Sequence, residues 1–213
     1  MISTGVDVEM PMLGDPEPDD LRLTDRDAIL VRGDVEFANE VAEIFDTVYT
    51  VDVAGGTQIV VDRGWVALDA TVDDTTFHFV GTHLEIGGST ASIQVAQGNE
   101  LIDAFADHEG PLVVVGDLNS RANGTSTPTY GNFIDAGYTD AWVAVGNEEA
   151  GLTCCYGPYL GDAEYILSSR IDFVLSKGDV TFLDAYTVGS DVHTPDGLHP
   201  SDHLGVVSTI TIP

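Results

Sequence analysis

The chain has 213 residues, and its 36 acidic side chains against 7 lysines and arginines give a formal net charge of −29. With 43% apolar and 20% charged residues it is too apolar for an acidic disordered tail. A folded chain is expected, most simply one domain over 1–213 that buries roughly 70% of its unfolded surface. No apolar run reaches the ~18 residues of a membrane span, and Met1 to Asp20 lacks a basic start, an apolar stretch and a small-residue cleavage site. A soluble chain without a targeting segment is the expectation. So dense a negative surface repels nucleic acid and anionic lipid, and Lys177 is the single lysine. At about 1 M salt, where screening reaches only ~3 Å, the same surface is tolerable, so the composition reads as adaptation to molar salt. On that reading the charge describes the solvent and leaves a phosphate substrate open.

Residues 1–24, and on to about 27, read as loop, with Pro11, Pro16 and Pro18 among acids. Ala28 to Val31 is a short apolar run, Asp46 to Val53 alternates, and Thr57 to Asp62 reads as a strand after the Gly55-Gly56 turn. Strands at Gly64 to Val72 and Thr75 to Thr82, joined at Asp73-Asp74, continue a meander. The period then changes: Ile93, Ala96, Leu101, Ile102 and Phe105 share a helical face, with Ser89 or Thr90 as cap. After Pro111, Leu112 to Val115 is wholly apolar, as a central strand requires. Thr127-Pro128 opens a short second helix carrying Tyr130, Phe133 and Ile134, which Gly137 ends. Residues 144–169 are irregular, and strands are predicted at Ile171 to Leu175, Val180 to Val188 and Leu204 to Ile212. Trp65 and Trp142 fall where tryptophan is more often core than a stacking platform. His78, between Phe77 and Phe79, should face solvent. Cys154 and Cys155 are adjacent; neighbouring cysteines bridge only with strain, and no further cysteine makes a zinc pattern, so two small buried thiols are expected.

Four clusters put chemically capable side chains at strand ends. His83 closes Gly81-Thr82-His83-Leu84-Glu85. In Val115-Gly116-Asp117-Leu118-Asn119-Ser120 a buried strand stops at glycine, and Asp117 and Asn119, two apart, project to one side. A carboxylate can hold Mg²⁺ or orient water and an amide can donate to a phosphate oxygen; an Asx turn capping the strand is the alternative. Asp172 interrupts the buried run Arg170-Ile171-Asp172-Phe173-Val174-Leu175 and needs a partner such as Arg or protonated His. Asp202 and His203 begin the last strand and point opposite ways, so one could meet metal and the other phosphate.

In this order, Thr-His-Leu, Gly-Asp-Leu-Asn, Arg-Ile-Asp-Phe-Val-Leu and Ser-Asp-His, the clusters resemble the endonuclease/exonuclease/phosphatase superfamily, from about Asp25 to the C-terminus. Leu23 to Arg32 and Gly151 to Cys155 resemble a haloarchaeal and actinobacterial branch of it. The resemblance implies an α/β (α+β) fold, a four-layer sandwich of two mixed β-sheets flanked by helices. It also implies metal-dependent hydrolysis of a phosphoester, with Mg²⁺, or Mn²⁺ or Ca²⁺. Carried over, His203 and Asp172 form the pair that activates or positions water, and Asp202 is a metal-associated acid. Asp117 and Asn119 orient the nucleophile and hold a phosphate oxygen, with metal contact for Asp117, and His83 stabilises charge on phosphorus-bound oxygens. Arg121 could approach a phosphate or equally pair with a surface acid. The substrate is a phosphoester of nucleic acid, a phospholipid headgroup or a sugar phosphate.

The resemblance also implies an opening strand bearing Asn and a second ending in Gln-Glu-Val, whose Glu is the main metal ligand. No segment here matches them, and Glu9 in Val6-Asp7-Val8-Glu9-Met10 is a poor substitute. A domain lacking its N-terminal strands is expected. A catalytically impaired remnant, or a module binding phosphate or a partner, is therefore the alternative to the enzyme. A serine hydrolase is disfavoured, since no Gly-x-Ser-x-Gly is present and Ser201, Asp202 and His203 cannot form a triad by adjacency.

Overall fold

The computed structural model describes residues 4–10, 19–53, 57–157, 160 and 167–213. The first element departs from expectation. β1 (Thr4–Met10) and β2 (Asp19–Asp25) form an antiparallel hairpin where loop is predicted. Val6, Val8 and Met10 alternate with Asp7 and Glu9, and this period-two pattern decides the local structure. Ala28 to Val31 carries no regular element. β3 (Glu36–Ile44) was hidden by its acids, and it is exposed along its whole length with a break in register between Ala38 and Val41.

β4 (Tyr49–Val53) and β5 (Thr57–Val61) pair with one another, and β6 (Gly64–Val72) and β7 (Thr75–His83) follow as the sequence indicates. After a 3₁₀ turn come α1 (Ala91–Ala104), β8 (Leu112–Asp117) and α2 (Thr129–Asp135). A short β9 (Thr139–Asp140) and α3 (Ala141–Ala144) lie where the sequence showed only the end of a helix; Asp140 caps α3 by accepting from Trp142 N at 2.9 Å. β10 (Asp172–Lys177), β11 (Thr181–Val188) and β12 (Gly205–Thr211) complete the chain.

One six-stranded mixed sheet runs β3-β6-β7-β8-β10-β9; β7 and β8 are parallel and the other pairs antiparallel. Its two faces carry separate cores, and β8 shows why. Leu112 and Val114 pack toward Leu101, Phe105 and Phe133 on the helical side, while Val113 and Val115 pack with Phe182, Val206 and Ile210 of the β11–β12 ribbon. Each fully buried Leu or Phe contributes roughly 1.5–3 kcal/mol, so β8, apolar on both faces, anchors the sandwich. The architecture is an α/β sandwich of mixed sheets with flanking helices, as expected.

α1 buries Leu101 and, at its end, Phe105 from its expected face, but polar neighbours are buried with them. Gln94, Gln97, Gly98 and Leu101 are its buried residues, whereas Ile93, Ala96 and Ile102 are half-buried. The glutamines satisfy backbone groups that would otherwise be orphaned. Gln97 accepts from Glu85 N and donates to Thr47 O, and Gln94 donates to Leu118 O. Both loops that follow β7 and β8 are thereby tied to the helix. His78 also departs from expectation: instead of facing solvent it is mostly buried beside Phe105 and bonds Asp69 Oδ1 at 2.7 Å. Trp142 is buried, and Trp65 packs edge-on against Phe105 with ring centroids 5.1 Å apart, both serving the core.

Candidate active site

Strand register assembles the site. His83 ends β7 opposite Asp117 of the parallel β8, and Asp172 begins β10 opposite the same Asp117. Residues directly opposite in a sheet project to one face, so an imidazole and two carboxylates stand in a row across three strands. Gly116 makes this possible. It has φ of +149°, and a Cβ there would lie 1.9 Å from Thr82 O, so only glycine lets β8 approach β7 just before Asp117.

His203 reaches the row from the segment just before β12. Its Nδ1–H donates to Asp172 Oδ2 at 2.9 Å and lies 4.0 Å from Asp117 Oδ2. That hydrogen bond, with the negative charges of Asp172, Asp117 and Asp202, outweighs burial and pushes His203 up to about 9. Asp117 is also raised, which for a carboxylate favours the neutral form. Burial first, and then the charge of Asp172, push it up to about 7, against the opposing Asn119 N–H, His203 and Arg63. Asp172 is itself held by Thr153, whose Oγ1 accepts from the N–H groups of Ile171 and Asp172 at 3.3 Å each.

His83 Nδ1 accepts from Arg63 Nη1 at 2.9 Å, which leaves the ring proton on Nε2, 3.5 Å from Asp117 Oδ2. Arg63 was not singled out in the sequence. It lies in the turn between β5 and β6 and is mostly buried, with its Nε 3.8 Å from Glu85 Oε2. The available signal was its cost: in a chain so poor in cations, an arginine in a turn followed by glycine stands out. Gly64 is required there, since a Cβ would meet Glu43 O at 2.2 Å.

Asn119 adopts φ of +49°, which Asn tolerates, and its backbone N–H donates to Asp117 Oδ1 at 2.7 Å. The Asx turn thus coexists with the site. One Asn119 amide hydrogen is committed to Leu84 O at 2.9 Å, binding the β7 and β8 loops together, and the second remains for another acceptor. Asp202 is exposed; its charge reaches His203, but it belongs to neither of the two ligand clusters among the described residues. Those clusters are Asp117, Asp172 and His203, and Cys154, Cys155 and His203. Arg121 is exposed, and its backbone N–H donates to Ser126 Oγ at 2.9 Å. His199 stacks on Tyr156, centroids 3.7 Å apart, beside the segment that carries Asp202.

The oxygen-bearing cluster fits a hard divalent cation. Two carboxylates stand close enough for one to raise the other, which is the charge imbalance such an ion relieves, and carboxylate oxygen is the donor Mg²⁺ prefers.

No protein-family model matches the chain, and no curated protein matches it. Solved structures do. A mannosyl-6-phosphatase of Bacteroides thetaiotaomicron is similar at TM-score 0.64 and 16% identity, over 99% of this chain and 77% of that one. An endonuclease/exonuclease/phosphatase family protein from Bacteroides thetaiotaomicron is similar at TM-score 0.65 and 15% identity, over 99% and 76%. D. rerio TDP2, complexed with single-strand DNA product, is similar at TM-score 0.62 and 17% identity, over 83% and 68%. Among the described residues no helix is long and apolar enough to cross a membrane.

Proposed function

We propose that this chain, which has the endonuclease/exonuclease/phosphatase fold, hydrolyses a phosphoester, diester or monoester, with a divalent cation. The observation that carries the reading is the row of His83, Asp117 and Asp172 with His203 bonded to Asp172. At neutral pH His203, pushed up to about 9, is a fixed cation and donor beside the carboxylates, suited to charge spreading over phosphoryl oxygens. His83, backed by Arg63, presents its Nε2–H to the same space. Asp117 faces both imidazoles and can accept a hydrogen bond from the attacking water and so align it with phosphorus. Asn119 contributes its remaining amide hydrogen to a phosphate oxygen.

Asp117 and Asp172 would hold Mg²⁺, Mn²⁺ or Ca²⁺, with water and substrate oxygens completing the shell and Asp202 adding charge from outside. The cation would supply positive charge to the phosphoryl oxygens. The known structures it resembles include a DNA-product complex and a sugar phosphatase, which supports a phosphate ester over other ester chemistry.

Hydrolysis of bis-p-nitrophenyl phosphate and p-nitrophenyl phosphate in molar KCl, with each cation in turn, tests this. Wild type should turn over at least one of them, with EDTA abolishing the rate. His203→Gln and Asp172→Asn should each lower kcat by roughly 10²–10⁴-fold. No hydrolysis with any cation would leave a binding module; full activity in both variants would reject the site.

A further inference from the structure

Cys154 and Cys155 are the two cysteines of the sequence, and the fold lays them on the proposed catalytic imidazole. Cys154 is buried and pairs through its backbone with both Ser169 and His203. On either side of it, Leu204 N donates to Thr153 O at 2.8 Å and Tyr156 N to Asp202 O at 2.7 Å. Backbone pairing therefore fixes where the sulfurs sit. The expectation of two separate thiols is not met: the sulfurs are joined as a bridge between neighbours. Cys155 Sγ lies 3.6 Å from His203 Nε2, the nitrogen left over once Nδ1 has bonded Asp172. One ligand atom from each of Cys154, Cys155 and His203 falls within 4.8 Å of the others.

We propose that Cys154, Cys155 and His203 form an inhibitory site for a thiophilic divalent cation, Zn²⁺ foremost, which becomes available when the sulfur pair is reduced. Two thiolates and an imidazole are the donors Zn²⁺ selects, while Asp117 and Asp172 offer the oxygens that Mg²⁺ selects. The two sets share one imidazole, with carboxylates at Nδ1 and sulfur at Nε2. An ion bound on the sulfur side ties up the Nε2 of His203 and removes it from the phosphoryl group. In the bridged form neither sulfur is a thiolate, and the site is closed. A dithiol opens it by passing two electrons and two protons to the pair: the S–S bond breaks here and one forms in the reductant. Zn²⁺ then displaces the two thiol protons and the Nε2 proton of the His203 imidazolium, releasing three protons to solvent. The inhibitory consequence rests on the phosphoesterase reading; the metal site does not.

The full chain, reduced with dithiothreitol in molar KCl and desalted under argon, is titrated with Co²⁺ as a spectroscopic stand-in for Zn²⁺. A sulfur-to-cobalt charge-transfer band should saturate at one equivalent, bleach on adding Zn²⁺, and be absent from the oxidised protein and from the Cys154→Ser, Cys155→Ser double variant. His203→Gln should alter the cobalt d–d bands. Independently of any variant, stoichiometric Zn²⁺ should protect both reduced thiols of the wild type from iodoacetamide, read by intact mass. Absence of the band, or unprotected thiols, overturns the site; d–d bands unchanged in His203→Gln remove the imidazole from it. Zn²⁺ should also inhibit Mg²⁺-supported hydrolysis of bis-p-nitrophenyl phosphate only after reduction, and inhibition of the oxidised form to the same degree overturns the regulatory role. If the wild type hydrolyses nothing, the failure belongs to the phosphoesterase reading, and the cobalt spectrum still decides the metal site.

Discussion

Asp117 and His203 are both shifted toward their protonated forms, and the direction fixes how stability follows pH. Asp117 binds its proton more tightly folded than unfolded, so its contribution is full below its ordinary 3.8 and is lost as pH rises through about 7. His203 likewise contributes fully below its ordinary 6.5 and loses that contribution as pH rises through about 9. With EDTA present, these two groups should therefore lower the melting temperature steadily from about pH 4, Asp117 first and His203 up to about pH 9, and added Mg²⁺ should recover part of the loss by binding only the folded form. Asp117→Asn removes the repelling charge while keeping the shape. At pH 8 in EDTA it should melt higher than wild type by about 2–8 °C, equivalent to roughly 1–2 kcal/mol, while hydrolysis drops by roughly 10²–10⁴-fold. Scanning calorimetry beside a turnover assay reads both, and a variant that melts lower would show that Asp117 is a structural carboxylate. At this scale the sequence was legible wherever a polar residue broke an apolar strand: His83, Asp117 and Asp172 announced themselves so. Arg63 and Thr153 did not, because their roles come from a turn and an irregular loop folding back on the row.

At the level of elements, the site depends on how closely β7 and β8 approach. Gly116→Ala would place a Cβ 1.9 Å from Thr82 O at a φ of +149°, against backbone that cannot move without breaking the parallel pairing. The substitution should destabilise by roughly 3 kcal/mol and displace Asp117, lowering activity beyond what the loss of folded protein explains. Gly131→Ala in α2 is the matched control. A Cβ there meets nothing within 4 Å, and alanine is the better helix former, so stability should rise by up to about 1 kcal/mol. Urea midpoints of the two variants make the comparison, and equal midpoints would refute the close-approach argument. β6 and β7, bounded by turn residues, and β8, a continuous apolar run after Pro111, were readable nearly to the residue. β3 was not, since Glu36, Glu40 and Glu43 on an exposed edge mask its alternation. α1 was read as a helix with Leu101 and Phe105 correctly on its buried side; what its apolar residues did not show is that the demand for partners on two site loops buries Gln94 and Gln97 there too, leaving Ile93, Ala96 and Ile102 half-buried.

Across the whole molecule, two of the scarce cations are withdrawn from the acidic surface, while Arg26, Arg32 and Arg121 remain exposed on it. Arg63 and Arg170 are mostly buried, the first against His83 and the second bonded to Asp140 Oδ2 at 2.7 Å. The net charge of −29 is thus left largely uncompensated at the surface. Composition announced this charge, but only the fold shows that two of its few counter-charges, Arg63 and Arg170, serve the interior. Long-range self-repulsion between exposed acids is screened by salt, whereas buried contacts such as Arg170 with Asp140 are screened far less. The melting temperature at pH 7 should therefore climb as KCl rises from about 0.1 M to about 1 M, where the screening length falls from ~10 Å to ~3 Å, and then flatten. Replacing Glu36, Glu40 and Glu43 on the exposed β3 with glutamine should reduce the slope of that rise without touching the site. Sodium chloride should give the same curve as potassium chloride if screening is the cause. A continued rise well beyond about 1 M, steeper in sulfate, would instead assign the effect to exclusion of salt from apolar surface. A flat response would show that the acidic surface is tolerated without salt and would end the halophilic reading.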